Sequence, residues 1–373
     1  MKTKAMTRKK LFAMFIALAQ CFACLAGDVK PAPAFPGKSH AMLRLEANER
    51  FILLPVEEKT GICNINIIYD NETRQSLNVR LAANKVDYYV PLDISGYKGR
   101  EILLDINALG DVLKNGSFKD YVCWQHIRQS ADFDTANREP HRPLYHHTPA
   151  YGWMNDPNGF SYYKGKYHQF YQYNPYDVRW APMHWGHAVS TDLLHWEQLP
   201  VMLYPDEPFD CHGAYSGSAL VEDGTMYLYY TGNVKRPGNF DYIKEGRGHN
   251  VCLAVSKDGV TLDSKQCLMY NRDYPAGLTC HVRDPKVFAY EGRYYMVLGA
   301  RTLEDKGEVL VLESTDKLRW THINTLTTPE PFGYMWECPD LFCLDGQWLT
   351  TPAGIALYLE HKMFDTREGN ALQ

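Results

Sequence analysis

The 373-residue chain has no block of like charge and no basic stripe, and its formal net charge is only −5. That pattern excludes the electrostatic footprint of a nucleic-acid binder. Beyond its first residues no segment is apolar for long enough to cross a bilayer, so no transmembrane span is expected. The cysteines after the start, Cys63, Cys123, Cys211, Cys252, Cys267, Cys280, Cys338 and Cys343, lack the paired spacing of a zinc site. They read as mostly buried free thiols. His184 and His187 stand three residues apart like a metal pair, yet no third ligand is evident, and they read as pocket or core residues.

The sequence is rich in aromatic residues, which make up 13% of it, with 26 Tyr and 8 Trp. These suit strands, and exposed aromatic faces also suit sugar rings. The start is a secretion pattern. Lys2, Lys4, Arg8, Lys9 and Lys10 precede an apolar run from Leu11 to Leu18, followed by small residues at Ala23, Ala26 and Gly27. Residues 1–27 are therefore expected to be a signal peptide and the protein to be exported, to the periplasm, the cell surface or the medium. Cys21 and Cys24 are the candidate positions for a lipid anchor.

Residues 28–40, rich in Pro, Ala and Gly, read as a linker. Residues 41–135 read as a small β-sandwich-like domain, with alternating runs such as Asn64-Ile65-Asn66-Ile67-Ile68-Tyr69. From 136 to 373 the chain repeats itself. Aromatic hairpins turn at Lys164-Gly165, Asp223-Gly224, Glu291-Gly292 and Asp345-Gly346. A Ser-x-Asp element recurs between them, at Ser190, Ser256 and Ser314. Paired hairpins recurring about every 60 residues are the pattern of four-stranded propeller blades.

Three acidic segments share one phase of that repeat. They are Trp153-Met154-Asn155-Asp156-Pro157-Asn158-Gly159, Arg283-Asp284-Pro285 and Trp336-Glu337-Cys338-Pro339-Asp340. Asp156, Asp284 and Glu337 each stand just before the first hairpin strand of their unit, with Ser216-Gly217 in the equivalent place of the second unit. In a propeller such positions point into one central funnel. Convergent carboxylates are the minimum equipment for glycoside hydrolysis, one protonating the leaving oxygen and one attacking or activating water. Glu337, between Trp336 and Cys338, is expected in an apolar collar that keeps it protonated. Asp156 is expected among donors, and Asp284 is expected to be held by Arg283 or a substrate hydroxyl.

Residues 142–354 resemble the catalytic propeller of glycoside hydrolase family 32, the invertases, inulinases and levanases. The three acidic segments match its motifs residue by residue. Tyr171-Gln172-Tyr173-Asn174-Pro175, Met183-His184-Trp185-Gly186-His187 and Tyr215-Ser216-Gly217-Ser218 also resemble its pocket-lining segments. The resemblance implies an all-β fold, a five-bladed propeller behind a small β-sandwich, and a retaining β-fructofuranosidase acting on a fructan such as levan or inulin, or on sucrose. Asp156 would be the nucleophile, Glu337 the acid/base and Asp284 the transition-state stabiliser. Asn155, Gln172, Trp185, Tyr215, Ser216 and Arg283 would contact substrate, and no metal or organic cofactor is needed.

Other readings stay open. Taken singly, Asp156 is a turn residue, Asp284 a structural ion-pair partner and Trp185 a packing residue. An inverting arabinan or xylan hydrolase uses the same fold with its carboxylates about 6.5–9.5 Å apart, against about 5–5.5 Å for retention. Transfer of fructose to another acceptor, or sugar binding without turnover, also fits. The family completes a fifth blade and adds a C-terminal sandwich, whereas this sequence stops near its fourth repeat. The stretch Ala356–Met363 reads as helical, and a truncated product with about four blades is expected.

Overall fold

The computed structural model describes residues 32–110, 116–136, 142–143, 145–329, 332–344 and 347–352. Residues 1–27, read as a signal peptide with Cys21 and Cys24, the expected Asp345-Gly346 turn and the helical reading of 356–363 lie outside them.

Alternation builds the N-terminal sandwich. In β2 (His40–Glu46), β4 (Cys63–Tyr69) and β7 (Glu101–Ala108) every second residue is buried: Ala41, Leu43 and Leu45; Cys63, Ile65 and Ile67; Ile102, Leu104 and Ile106. These strands form a sheet in the order β1-β2-β7-β4-β5, with β1 (Ala34–Gly37) and β5 (Glu72–Val79) at its edges. The second sheet runs β6-β3-β8, from Tyr88–Asp93, Phe51–Val56 and Arg128–Ser130. Ile52, Leu54 and Leu92 meet the first sheet in one core. The stretch read as a linker therefore contributes a strand: β1 pairs with β2, and an edge position tolerates its Pro36.

Three four-stranded antiparallel sheets follow. The first is β9 (Trp153–Tyr163), β10 (Lys166–Asn174), β11 (His184–Ser190) and β12 (Glu197–Leu203). The second is β13 (Ala214–Glu222), β14 (Thr225–Lys235), β15 (Arg247–Ser256) and β16 (Ser264–Met269). The third is β17 (Leu278–Tyr290), β18 (Arg293–Thr302), β19 (Gly307–Ser314) and β20 (Thr321–Leu326). A hairpin, β21 (Pro339–Leu344) with β22 (Gln347–Pro352), begins a fourth. The first strand of each sheet lies innermost, β13 against both β9 and β17, and β17 against β21. This is propeller architecture.

Local chemistry explains the repeat. Lys164-Gly165, Asp223-Gly224 and Glu291-Gly292 have positive φ at both residues, the twist that suits a two-residue hairpin turn. Ser190, Ser256 and Ser314 each donate to the Asp two residues on, at 3.1, 3.2 and 3.1 Å, closing the turn to the outermost strand. The Tyr163 hydroxyl reaches the Lys257 carbonyl in the second blade (2.6 Å), and the Tyr229 hydroxyl reaches the Lys317 carbonyl in the third (3.1 Å).

The innermost strands share a second feature. Tyr171 pairs with Pro157 and Tyr173 with Met154, so Gln172 alone faces Asn155 and Asp156. Ser216 is the extra residue between Tyr215, paired with Thr231, and Gly217, paired with Tyr230. Leu298 alone faces Asp284 and Pro285. One β-bulge therefore recurs at one phase of three blades, and such bulges re-aim side chains. Asp156 and Asp284 thus lie inside their strands, not just before them; Glu337 alone precedes its strand.

At the second bulge a Cβ on Gly217 would run into the Tyr229 carbonyl. Gly217→Ala is expected to cost about 2 kcal/mol of stability by overpacking, read as a lower urea midpoint at unchanged m-value.

Candidate active site

Asp156, carried on the first bulge, is fixed by three side-chain donors. Asn155 Nδ2 lies at 2.9 Å, Gln172 Nε2 at 3.0 Å and Ser216 Oγ at 3.0 Å. Burial pushes the Asp156 carboxyl up; Ser216 opposes this, the Glu337 charge adds to it, and Arg283 works against it. Gln172 also donates to Ser216, while its Oε1 is buried with no partner among the described residues.

Asp284 sits at the third bulge with φ +64°, a left-handed conformation that Asp accepts more readily than most residues other than Gly. Its N–H donates to Thr231 Oγ1 (2.8 Å), and its Oδ2 accepts from the Cys338 N–H (3.0 Å). Burial is the main reason its carboxyl is pushed up to about 7, with Glu337 and Asp156 adding and Arg283 and the Cys338 N–H opposing.

Arg283 is turned mainly toward Glu337, to which it donates, and stands 3.8 Å from Asp284. Its other arm meets His281 Nδ1 at 2.7 Å. The collar expected around Glu337 is corrected by this placement. Trp336 turns away into a packed cluster with Val297, Val309 and Val311, its indole N–H on the Phe332 carbonyl, so Glu337 faces a guanidinium. Gly299 of β18 lets the Trp336 carbonyl come close enough for this course. The Cys338 thiol does face the acids; burial and then Asp284, Asp156 and Glu337 hold it protonated.

The structure thus brings Asn155, Asp156, Gln172, Ser216, Arg283, Asp284 and Glu337 together. Trp185 is a correction: it is fully buried, packed against Phe170 and Tyr230, with its indole N–H on the Tyr215 carbonyl (2.9 Å). It supports the Tyr215 bulge from behind. Tyr215 is buried, its ring against Trp180 and His249. His184 and His187 are core residues, pushed down to about 3 by burial, and no group of residues able to hold a metal occurs among the described residues. The cysteines resolved there are unpaired.

Some residues of the site escape a sequence reading. Thr231 receives the Asp284 N–H; its only signal is that it stands opposite Tyr215 in the ladder. A basic wall also runs outward from Arg283 through His281 and His249 to Arg247 and Lys235. His281 is pushed down to about 3 and His249 well below its ordinary value, by burial first and then by the neighbouring cations. Arg247 Nε, His249 Nδ1 and His281 Nε2 are buried without partners among the described residues. Along the propeller axis a cavity of about 200 Å³ passes Ser216, Asp284 and Cys338.

The family described as Glycosyl hydrolases family 32 N-terminal domain matches residues 146–370. The chain belongs to glycosyl hydrolase family 32. Residues 37–145 match a domain of unknown function, DUF4980. A sucrose-6-phosphate hydrolase of Bacillus subtilis is 40% identical over 59% of this chain and 46% of its own length. A raffinose invertase of Escherichia coli is 42% identical over 57% and 44%. The solved family 32 β-fructofuranosidase of Bombyx mori superposes with a TM-score of 0.51 at 40% identity, over 58% of this chain and 45% of that one. The chain therefore spans less than half the length of these relatives.

The shift at Asp284 has a measurable consequence. In the unfolded chain an Asp ionises near pH 4; folded, this one holds its proton to about pH 7. The folded state binds the extra proton, so the stability it contributes is full below about pH 4 and is lost as pH rises through 7. Asp284→Asn removes that loss. Its Tm should exceed the parent's at pH 8, and the difference should shrink toward pH 4 in a thermal unfolding series.

Proposed function

We propose that this chain carries the catalytic site of a retaining β-fructofuranosidase, with Asp156 as nucleophile, Glu337 as acid/base and Asp284 holding the fructosyl hydroxyls. The observation that carries this reading is the convergence of three carboxylates on Arg283, with Asp156 aimed by three donors. Asp284, buried and with its carboxyl pushed up to about 7, lets the site keep a proton near neutral pH. Sugar hydroxyls donating to Asp284 favour its anion. In the retaining mechanism Glu337 donates to the glycosidic oxygen as general acid. Departure of the protonated leaving group lets Asp156 bond the anomeric carbon, and Glu337 then activates water to release fructose.

The finer assignment is a fructan substrate, levan or inulin, met outside the cell. It is supported by the basic and then apolar start of the chain and by the appended sandwich. Release of fructose from sucrose, raffinose, levan and inulin by the full chain tests it, with proton NMR reading the first anomer formed. Asp156→Asn should lower turnover about 10⁴-fold, and Glu337→Gln about 10³-fold, less with a good leaving group. An inverted first product, or unchanged turnover in Asp156→Asn, would remove the mechanism. Binding without turnover by the folded chain would make it a sugar-binding protein. The mass of the mature N-terminus reads export and any lipid on Cys21 or Cys24 together.

A second reading has an observation of its own: the basic wall beyond Arg283 suits a phosphorylated leaving sugar, the substrate in the name of the Bacillus subtilis relative. If that holds, kcat/KM for sucrose-6-phosphate exceeds that for sucrose, and Arg247→Gln removes about tenfold of the preference, the worth of one charge-assisted contact. Equal values for both sugars, unchanged in Arg247→Gln, would leave the neutral substrate.

A further inference from the structure

The seam between the sandwich and the propeller is tightly joined over most of its length. The Ser76 N–H donates to the Cys211 carbonyl (2.7 Å), Arg80 pairs with Asp177 (2.8 Å), and Gln75 Nε2 meets Tyr176 and His184 at 3.2 and 3.1 Å. Beside these contacts it stays open as a cavity of about 340 Å³, within the range of small-molecule sites. Tyr69, Arg74, Asp93, Tyr97 and Arg100 line it from the sandwich. Tyr204, Asp206 and Glu207 line it from the segment that leaves β12.

The lining has a definite chemistry. Tyr69 and Tyr97 lie 5.7 Å apart at 58°, with the Arg100 guanidinium 5.3 Å over the Tyr69 ring. Tyr97 is half-buried; burial pushes its hydroxyl up, and the charge of Asp206 on the propeller side adds to this. The acids are already matched. Arg74 pairs with Glu207 (2.9 Å), Asp206 with Lys265 (2.5 Å) and Asp93 with Arg50 (3.1 Å). Neither an anion nor a cation finds a surplus partner there beyond Arg100, which has no ion pair among the described residues and lies over the Tyr69 ring. A polyol does, because paired carboxylates and guanidiniums keep lone pairs and N–H groups for hydroxyls while the tyrosines offer ring faces. Arg74 Nε, moreover, is buried with no partner among the described residues.

We infer that this cleft binds an uncharged saccharide, apart from the catalytic funnel, through the Tyr69, Tyr97 and Tyr204 rings and the Arg74, Asp93 and Glu207 head groups. The inference deepens the fructan reading and rests on it only for the first probe.

The test uses the full chain carrying Asp156→Asn, titrated calorimetrically with levan-type and inulin-type oligosaccharides and then with xylo-, malto- and arabino-oligosaccharides. A second binding event is expected. It should weaken about tenfold with Tyr97→Ala and vanish with Ser95→Trp, which fills the cleft from an exposed position. In the chain with Asp156 intact, Ser95→Trp should leave kcat/KM for sucrose unchanged and raise KM for the polymer. Binding confined to a non-fructan oligosaccharide and lost with Ser95→Trp upholds the cleft while sinking the fructan reading. Isotherms for every probe that are the same with and without Ser95→Trp overturn the inference; this substitution decides even where Tyr97→Ala fails to fold.

Discussion

Three carboxylates and the Arg283 guanidinium share one buried space, and most of the surrounding structure serves to keep them there. Unpaired, such a group of acids would repel, and not all of them would ionise at neutral pH. Arg283 opposes this by facing Glu337 directly and Asp284 from 3.8 Å. It is aimed in turn by His281, whose Nδ1 must stay unprotonated to accept its N–H at 2.7 Å. Burial and the neighbouring arginines push His281 down to about 3, so the acceptor persists across the neutral range. The imidazole acts by position, not by titration.

The propeller supplies this arrangement through a repeated local defect. Each innermost strand has one residue more than its partner at the same height, which turns a carboxylate or hydroxyl toward the axis. The blades then differ only in the residue placed there: Asp156 in the first, Ser216 in the second, Asp284 in the third. Ser216, where the others have acids, becomes a donor to Asp156. The repeat gives the geometry, and departures from it give the chemistry.

This division explains what could be read from the sequence. The turns announce themselves through residue pairs that accept positive φ, and the acids through their common phase. The bulges leave no comparable trace, because an extra residue is visible only against its partner strand. Asp156 and Asp284 therefore read as lying before strands that in fact contain them. Trp336 misled for a related reason: adjacency to Glu337 says nothing about direction, and consecutive residues here point apart. Trp185 sits in a pocket-lining motif yet lies one layer behind the pocket, where its size fills the blade. Pro36 made an edge strand look like a linker, since the rule that keeps Pro out of sheets relaxes at their edges.

Substrate choice is left to what surrounds the trio. On one side, Arg247 and Lys235, beyond the uncharged imidazoles of His281 and His249, concentrate positive charge, with polar atoms left unsatisfied. On the other, the seam cleft pairs the acids it exposes and adds ring faces. A phosphate gains more on the first than on the second, where Arg100 lies over a ring; a neutral polymer gains on the second and leaves the first merely hydrated. Specificity is a difference between such gains, not a property of the groups that break the bond. In the proposed mechanism Asp156, Asp284 and Glu337 act on the same linkage in either case, so these residues alone do not choose between the substrates.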